Sequence, residues 1–417
     1  MNFHPVILSC LSWLLALWSQ LLLALTRGRR LRASRHLPDE ILVQILTKLP
    51  AKSVVRCRCV CRRWKALTST PAFLELHQKN SNITRSITVN RWQSDWFWNR
   101  KKSTSHECTI LNSFDCPVLK SSYPHKFLYS SNGLLIFLEE FPSNSRLQHF
   151  ILLNPATRQK VRLVTPPGSI YGVFFHPLVK DHHQYCVLWG EESSSLYKLL
   201  VLRESCYWRE LHHDVNGPVP WQPRLQTPPV IVNDVLYWMV GCRHGTRILP
   251  RHCGQSIMAF NTKTEKFSAM SHPGPQDQWC KEDPEHLRMH LLEMDDHGLL
   301  CLCECAELEP LITIWIYENS RSLWIRRHAV SVKVDISNYP FSKVRPVAFV
   351  NGEVYAEWPR EVWGGGGSFA FNLVLGTVKS FRRLRMFGIE DETSVIIMYA
   401  HTPSLIPINN CETEIWM

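Results

Sequence analysis

Hydrophobic and polar positions along the chain follow three successive patterns. Residues 5–26 contain no charge and are rich in Leu and Trp. A helix of this length, at ~1.5 Å per residue, can cross a hydrocarbon core of ~30 Å. Apolar positions recur at helical spacing in residues 36–80, whereas the later segments alternate as strands do. The pattern predicts a multidomain α plus all-β chain, with an N-terminal hydrophobic helix and basic linker in 1–35, a helical module in 36–80 and a β domain in 81–417.

The helical module has clear helix ends. Pro38 suits a first helical position, Pro50 ends the first helix, and Ser53 is predicted to cap the second. The first helix carries one apolar face, formed by Ile41, Leu42, Ile45, Leu46 and Leu49. A module this small rarely buries enough apolar area to be stable alone, so the apolar face predicts a protein partner.

The stretch RCRCVCRRW, residues 56–64, raises three alternatives: a metal site, a nucleic-acid surface and a reactive thiol cluster. If one helix runs through it, one side collects Cys57, Val60, Cys61, Trp64 and Leu67. The opposite side collects Arg58, Arg62 and Lys65. Cysteines two apart on a helix point about 200° apart and cannot bind one ion. We therefore predict a packing side and a solvated basic side, with no metal and no nucleic acid.

The whole module resembles the F-box of plant-type F-box proteins. The matching residues are Leu37–Leu42, Ile45-Leu46, Leu49-Pro50, Lys52-Ser53, Arg56-Cys57, Val60-Cys61, Arg63-Trp64, Leu67, Pro71 and Phe73. This resemblance implies a three-helix module that binds the Skp-type adaptor, and through it a cullin, of an SCF-type ubiquitin ligase. It assigns the adaptor contacts to Leu37, Pro38, Ile41, Leu42, Ile45, Leu46, Leu49, Val60, Cys61 and Trp64.

The β domain contains a loosely recurring unit of a turn, a strand, a second strand ending in a polar turn, and an aromatic residue. Its copies, spaced by about 50 residues, begin near residues 132, 185, 234, 296 and 351. Units of this kind are typical of a kelch-like β-propeller. Alternation also predicts that Cys301, Cys303 and Cys305 share one core-facing side of a strand.

Three motifs make this domain resemble the F-box-associated, kelch-related interaction domain: Ser131–Leu134, Leu153–Thr157 and Gly172–Pro177. The resemblance implies that the domain recognises a protein substrate, and that the chain is a non-catalytic receptor subunit. Two other classes of function stay open from the sequence. One is a ligand- or glycan-binding propeller, and the other is a membrane-tethered scaffold.

Charge and cysteine content limit which ligands and cellular settings the sequence predicts. The net charge is +11, but residues 1–80 hold 13 Lys and Arg against three acids, so the β domain is nearly neutral and is not predicted to bind nucleic acid. Fifteen cysteines include no CxxC pair, which predicts reduced thiols in a cytosolic or nuclear setting. His286 and His290 lack the Glu of a zincin motif, so surface histidines are predicted. No cofactor or metal is expected.

The basic stretch that follows residues 5–26 bears on location. RGRRLRASR, residues 27–35, comes directly after the apolar segment. The positive-inside rule then places the rest of the chain on the cytosolic side of a membrane, anchored by the N-terminal helix. If the apolar segment does not span a membrane, the chain is predicted to lie in the cytoplasm or nucleus.

Overall fold

A computed structural model describes the helical module and most strands of the β domain. The described residues are 37–80, 84–92, 106–111, 116–121, 125–139, 147–175, 184–191, 196–202, 207–211, 223–224, 227–241, 253–274, 286–294, 298–306, 311–331, 344–350, 353–358, 367–372, 377–383, 394–401, 404–408 and 414–416. The predicted hydrophobic helix, 5–26, lies outside them. Within the described ranges no helix combines the length and apolarity needed to cross a bilayer.

The described part of residues 37–80 holds four helices rather than the predicted three. They are α1 (Asp39–Leu46), α2 (Ala51–Cys57), α3 (Arg62–Thr68) and α4 (Pro71–Asn80). The chain divides into two compact units, Met1–Gln44 and Ile45–Met417, and the boundary falls inside α1. Pro50, and not Ser53, occupies the N-cap of α2, with Ser53 inside the helix.

The predicted continuous helix through RCRCVCRRW is wrong. The chain leaves α2 after Cys57 and re-enters a helix at Arg62, with Cys61 in extended backbone at the N-cap. Arg58, predicted on the solvated side, is partly buried. Its guanidinium donates to the carbonyl of Thr68 at 2.8 Å and to Thr68 Oγ1 at 3.3 Å. Because this arginine turns inward to the end of α3, a single helical wheel does not describe the stretch.

The β domain is built from four-stranded antiparallel units, six of them in the described part of the chain. The first unit consists of β1 (Thr84–Trp92), β2 (His106–Leu111) and β3 (Cys116–Ser121), and is completed by β24 (Ser394–His401). The second consists of β4 (His125–Ser131), β5 (Leu134–Glu139), β6 (Gln148–Asn154) and β7 (Gln159–Thr165). β25 (Glu414–Trp416) adds to β7 in parallel. The chain's last strands therefore complete its first sheets.

The other four units follow in chain order. They are β8 (Gly168–Phe175), β9 (Tyr185–Glu191), β10 (Tyr197–Val201) and β11 (Tyr207–Leu211); β12 (Val230–Val232), β13 (Val235–Met239), β14 (Ile257–Asn261) and β15 (Lys266–Met270); β16 (Met289–Met294), β17 (Leu299–Ala306), β18 (Leu311–Glu318) and β19 (Leu323–Ser331); and β20 (Arg345–Val350), β21 (Glu353–Trp358), β22 (Gly367–Asn372) and β23 (Thr377–Arg383). A short 3₁₀ turn, Cys253–Gln255, precedes β14. One parallel bridge, Met294 to Phe349, joins the last two units.

Turn chemistry explains why the repeated motifs form these units. Asn132-Gly133 and Asn233-Asp234 each form a two-residue hairpin with positive φ at both positions, which Asn, Asp and Gly tolerate best. Four-residue links join β6 to β7, β14 to β15 and β18 to β19, and the fourth residue of each has positive φ. The predicted recurring unit therefore corresponds to the second, third and fourth strands of five of the six described units, all except the one that contains β1.

Most of the core lies between neighbouring sheets. Tyr171 and Phe174 of β8 pack with Trp238 and Phe260 of the next sheet. Cys301, Cys303 and Cys305 belong to one buried cluster, as the alternation predicted. The prediction of surface histidines is wrong, because His286 and His290 are each only 6% exposed. His290 lies in strand β16 rather than on a helix, so the i, i+4 spacing of the pair carries no helical meaning.

Candidate docking site

The predicted adaptor contacts that belong to the first compact unit divide by exposure. Leu37 and Ile41 are 45% and 41% exposed, and Pro38 is exposed as well. Leu42, whose amide bonds the Pro38 carbonyl at 3.1 Å, is buried. Pro38 therefore lies one residue before α1, which begins at Asp39, and not at the first helical position as predicted. The exposed apolar side chains of the described residues in this unit include Leu37 and Ile41, whereas Leu42 is buried.

The contacts predicted in the second unit divide in the same way. Val60, in the turn between α2 and α3, is 65% exposed, and Cys61 next to it is exposed. Ile45, Leu49 and Trp64 are half-buried, and Leu46 is buried at 2%. Exposed apolar side chains are unfavourable in water unless a partner covers them. Val60 is therefore the most available apolar group of the predicted set.

The exposed turn is held by polar contacts that the sequence reasoning missed. Cys61 Sγ accepts a hydrogen bond from the Trp64 amide at 3.5 Å, so the thiol caps α3. Thr68 is fully buried. Its hydroxyl donates a hydrogen bond to the Trp64 carbonyl at 2.8 Å, and its carbonyl accepts one from the Arg58 guanidinium. Burial lowers the pKa of Arg58. An arginine before a Cys-rich turn, and a threonine late in the next helix, gave no distinctive sequence signal for this bond.

A second buried polar contact links α4 to the turn that follows α1. His77 Nε2 lies 2.9 Å from the carbonyl of Leu49, and because a carbonyl only accepts, Nε2 carries the proton. The ring stacks on Phe73, with centroids 6.0 Å apart. Burial lowers the pKa of His77 below its ordinary 6.5, and the nearby Arg58 charge lowers it further, although the Leu49 bond opposes this. The histidine is therefore neutral in the folded module near pH 7.

Acidification is expected to weaken the helical module through His77. The unfolded chain takes up a proton near pH 6.5, whereas the folded state resists it, so the stability from neutral His77 is complete above that pH and is lost as pH falls. Melting of the full chain between about pH 7.5 and 5.5 should fall more steeply for wild type than for His77→Gln, which keeps a side-chain donor but does not titrate. Parallel profiles for the two proteins would contradict this.

Comparison with known proteins matches both the helical module and the β domain to family models. The family model described as F-box-like matches residues 34–74, and the model described as F-box associated beta propeller domain matches residues 85–352, more than half of the chain. The chain belongs to the F-box associated beta propeller family. It is a plant-type F-box protein with a C-terminal F-box associated domain. F-box proteins are generally substrate adaptors of SCF ligases. The kelch-like detail predicted from the repeats gains no support from these matches.

Relatives in Arabidopsis thaliana agree with this placement. F-box protein At1g30790 is 25% identical over 279 residues, which are 59% of this chain and 64% of that protein. Putative F-box protein At1g33530 is 26% identical over 300 residues, 70% of this chain and 62% of that protein. The aligned region thus spans under two thirds of each of these relatives. A solved member of the duf4221 family from Bacteroides vulgatus aligns with a TM-score of 0.39 and 8% identity, over 77% of this chain and 98% of that one.

Proposed function

We propose that this F-box protein is the substrate-recognition subunit of an SCF-type ubiquitin ligase. In this proposal the helical module docks on the Skp-type adaptor, which connects it to a cullin, and the β domain binds the protein to be ubiquitinated and degraded. The chain positions the target, and other subunits supply the chemistry. The observation that carries the docking step is the exposure of Ile41 and Val60 on a small helical module, at 41% and 65%.

The exposed apolar residues of the module supply the driving force for docking. An apolar side chain that passes from water into an interface contributes about 1.5–3 kcal/mol when it is fully covered. Leu37, Ile41 and Val60 are each at least 41% exposed in the chain alone. The buried Leu42 and Leu46 then act indirectly, because they hold the helices that present the exposed residues. We accordingly assign the direct contacts to Leu37, Pro38, Ile41, Val60 and Cys61, with Ile45, Leu49 and Trp64 at the margin.

Introducing a charge at these positions should weaken adaptor binding. Ile41→Asp and Val60→Asp, made singly and together in the full chain, are each expected to raise the Kd for a purified Skp-type adaptor by at least ~10-fold, since each places a carboxylate where apolar area would be covered. Binding can be measured by calorimetry or by co-purification. Both positions are solvent-exposed in the free chain, so the fold should tolerate the substitutions.

Leu323→Asp is the matched control for this experiment. Leu323 begins β19 and is 41% exposed, the same fraction as Ile41, but it lies in the β domain. If replacing any exposed apolar residue by Asp altered binding through a general effect on solubility, the Kd of Leu323→Asp would change as much as that of Ile41→Asp. The proposal predicts an unchanged Kd for Leu323→Asp, and wild-type binding by folded Ile41→Asp and Val60→Asp would refute adaptor docking through these residues.

A further inference from the structure

Three segments that carry Cys and His side chains meet at one end of two neighbouring sheets. The 3₁₀ turn with Cys253 precedes β14, and His272 follows β15. Since Ile257 at the start of β14 pairs with Met270 at the end of β15, these two segments lie side by side. His286 comes just before β16, the first strand of the next sheet, and Ile257 and Met289 share one core cluster. The topology therefore brings the three residues to one place.

The three side chains are close enough to share a ligand. One ligand atom from each of Cys253, His272 and His286 lies within 4.8 Å of the other two. The two imidazole rings have centroids 4.6 Å apart at an angle of 50°, so they are not stacked face to face. Both histidines are buried, at 5% and 6% exposure, and Cys253 is half-buried. The group is therefore largely shielded from bulk water.

Hydrogen bonds to the backbone of these residues hold each of them in position. Ser256 Oγ accepts from the His272 amide at 2.9 Å, and the Ser256 amide donates to the Cys253 carbonyl at 3.1 Å. The buried Arg224 donates to the His286 carbonyl at 2.5 Å and to the Met289 carbonyl at 2.6 Å. His286 has φ of 51°, in the left-handed region that histidine adopts more readily than most residues other than glycine.

The protonation of His272 also suits metal binding. Its Nδ1 lies 2.7 Å from the carbonyl of Pro273, which can only accept a hydrogen bond. Nδ1 therefore carries the proton, and in the neutral ring the lone pair is on Nε2. A ligating histidine that donates its other ring N–H to a backbone carbonyl is the usual arrangement at metal centres, because this bond fixes the tautomer and the ring orientation.

We propose that Cys253, His272 and His286 form a Zn²⁺ site that ties the two neighbouring sheets together. Thiolate sulfur and imidazole nitrogen, at ~2.3 and ~2.0 Å from the ion, are the ligands that zinc prefers. A tetrahedral centre needs its ligand atoms about 3.3–3.8 Å apart, so the separations, which are within 4.8 Å, would shorten by up to ~1.5 Å. Binding releases the thiol proton to solvent, and water takes the fourth position. This departs from the sequence prediction of no metal, because positions 253, 272 and 286 match no short zinc motif.

Cobalt substitution in the full-length protein tests the site directly. After chelator treatment under reducing conditions, we expect one Co²⁺ to give tetrahedral d–d absorption and a sulfur-to-cobalt charge-transfer band, and Zn²⁺ to displace it. Cys253→Ser should lose the charge-transfer band, and His272→Gln and His286→Gln should each weaken Co²⁺ binding at least ~10-fold. Zn²⁺ should raise the melting temperature of wild type but not of these variants.

Cys59→Ser and His328→Gln are the matched controls, because Cys59 is exposed in the helical module and His328 lies in β19, and neither belongs to the group. Both should bind Co²⁺ as wild type does. Far-UV circular dichroism of the metal-free variants checks folding, and the two histidine variants report on the same site if Cys253→Ser does not fold. Absence of stoichiometric Co²⁺ in wild type, or an unchanged spectrum in folded Cys253→Ser, would overturn the proposal, since the ion would then sit on other thiols.

Discussion

Replacing Asn154 by Ala is expected to destabilise the β domain by about 3–5 kcal/mol. Asn154 is fully buried at the end of β6, and its amide makes four hydrogen bonds. Nδ2 donates to the carbonyls of Ser404 and Ile406 at 3.1 and 2.9 Å, and Oδ1 accepts from the amides of Ala156 and Thr157 at 2.9 and 3.2 Å. Alanine leaves the two carbonyls unpaired in the core at about 1–2 kcal/mol each, and loss of the two turn bonds adds about 1 kcal/mol.

Asn261→Ala provides the control, because Asn261 occupies the equivalent position before the link from β14 to β15. Its Oδ1 accepts from the amides of Lys263 and Thr264 at 3.0 and 2.9 Å, but both of these residues are exposed, so water can replace the side chain. We expect a cost of about 1 kcal/mol. Urea unfolding of the full chain measures both variants. Equal costs would show that Asn154 serves the local turn alone and that its bonds to Ser404 and Ile406 add nothing.

The local part of this fold could be predicted from the sequence because turn chemistry is local. Asn132-Gly133 and Asn233-Asp234 form hairpins because these residues tolerate positive φ at low cost. Asn154 and Asn261 each bond the amides two and three residues ahead, a turn that Asn forms wherever it occurs. The recurring unit and the strands that flank it were therefore visible along the chain.

The long-range part could not be predicted in this way. Ser404–Ile408, a buried segment without regular structure, contacts Asn154, Tyr185 and Gln159 from more than 200 positions away. No periodicity marks such a segment, since it forms no strand and the amides of Ile406 and Ile408 donate to side chains. The Cys253, His272 and His286 group was missed for the same reason, since only the pairing of β14 with β15 and the packing of the next sheet bring its members together.

The candidate docking site shows a different limit. The F-box pattern includes both buried and exposed residues of the module, and the sequence alone did not separate the two groups. Leu42 and Leu46 fit the pattern as well as Ile41 does, yet they are 6% and 2% exposed against 41%. The sequence also did not predict the helix break after Cys57. Arg58 and Cys61 are both compatible with a helix, and their hydrogen bonds with Thr68 and the Trp64 amide form only in the folded chain.

Gly133→Ala is expected to be the most damaging single substitution considered for this chain. Gly133 has φ of 79°, and an alanine Cβ would overlap Ser404 Cβ while lying 2.7 Å from the Ser404 amide nitrogen. Ser404 cannot move away easily, because it is fully buried, its carbonyl accepts from Asn154, and its hydroxyl lies 3.0 Å from Tyr185 OH. Backbone strain of about 1–2 kcal/mol and loss of the packed segment together predict a cost of about 4 kcal/mol or more.

Gly274→Ala separates the strain from the overlap. Gly274 also has a left-handed backbone, with φ of 84°, but the nearest atom to its added Cβ is Trp315 Cζ2 at 3.8 Å, an ordinary contact. This variant should lose only the ~1–2 kcal/mol of strain. Thermal unfolding of the two variants therefore measures, by difference, how firmly Ser404–Ile408 is held against the hairpin of β4 and β5. Equal losses would mean that the segment yields to the methyl group, and the large effect expected for Asn154→Ala would then lose its basis, because both depend on the same fixed position of Ser404.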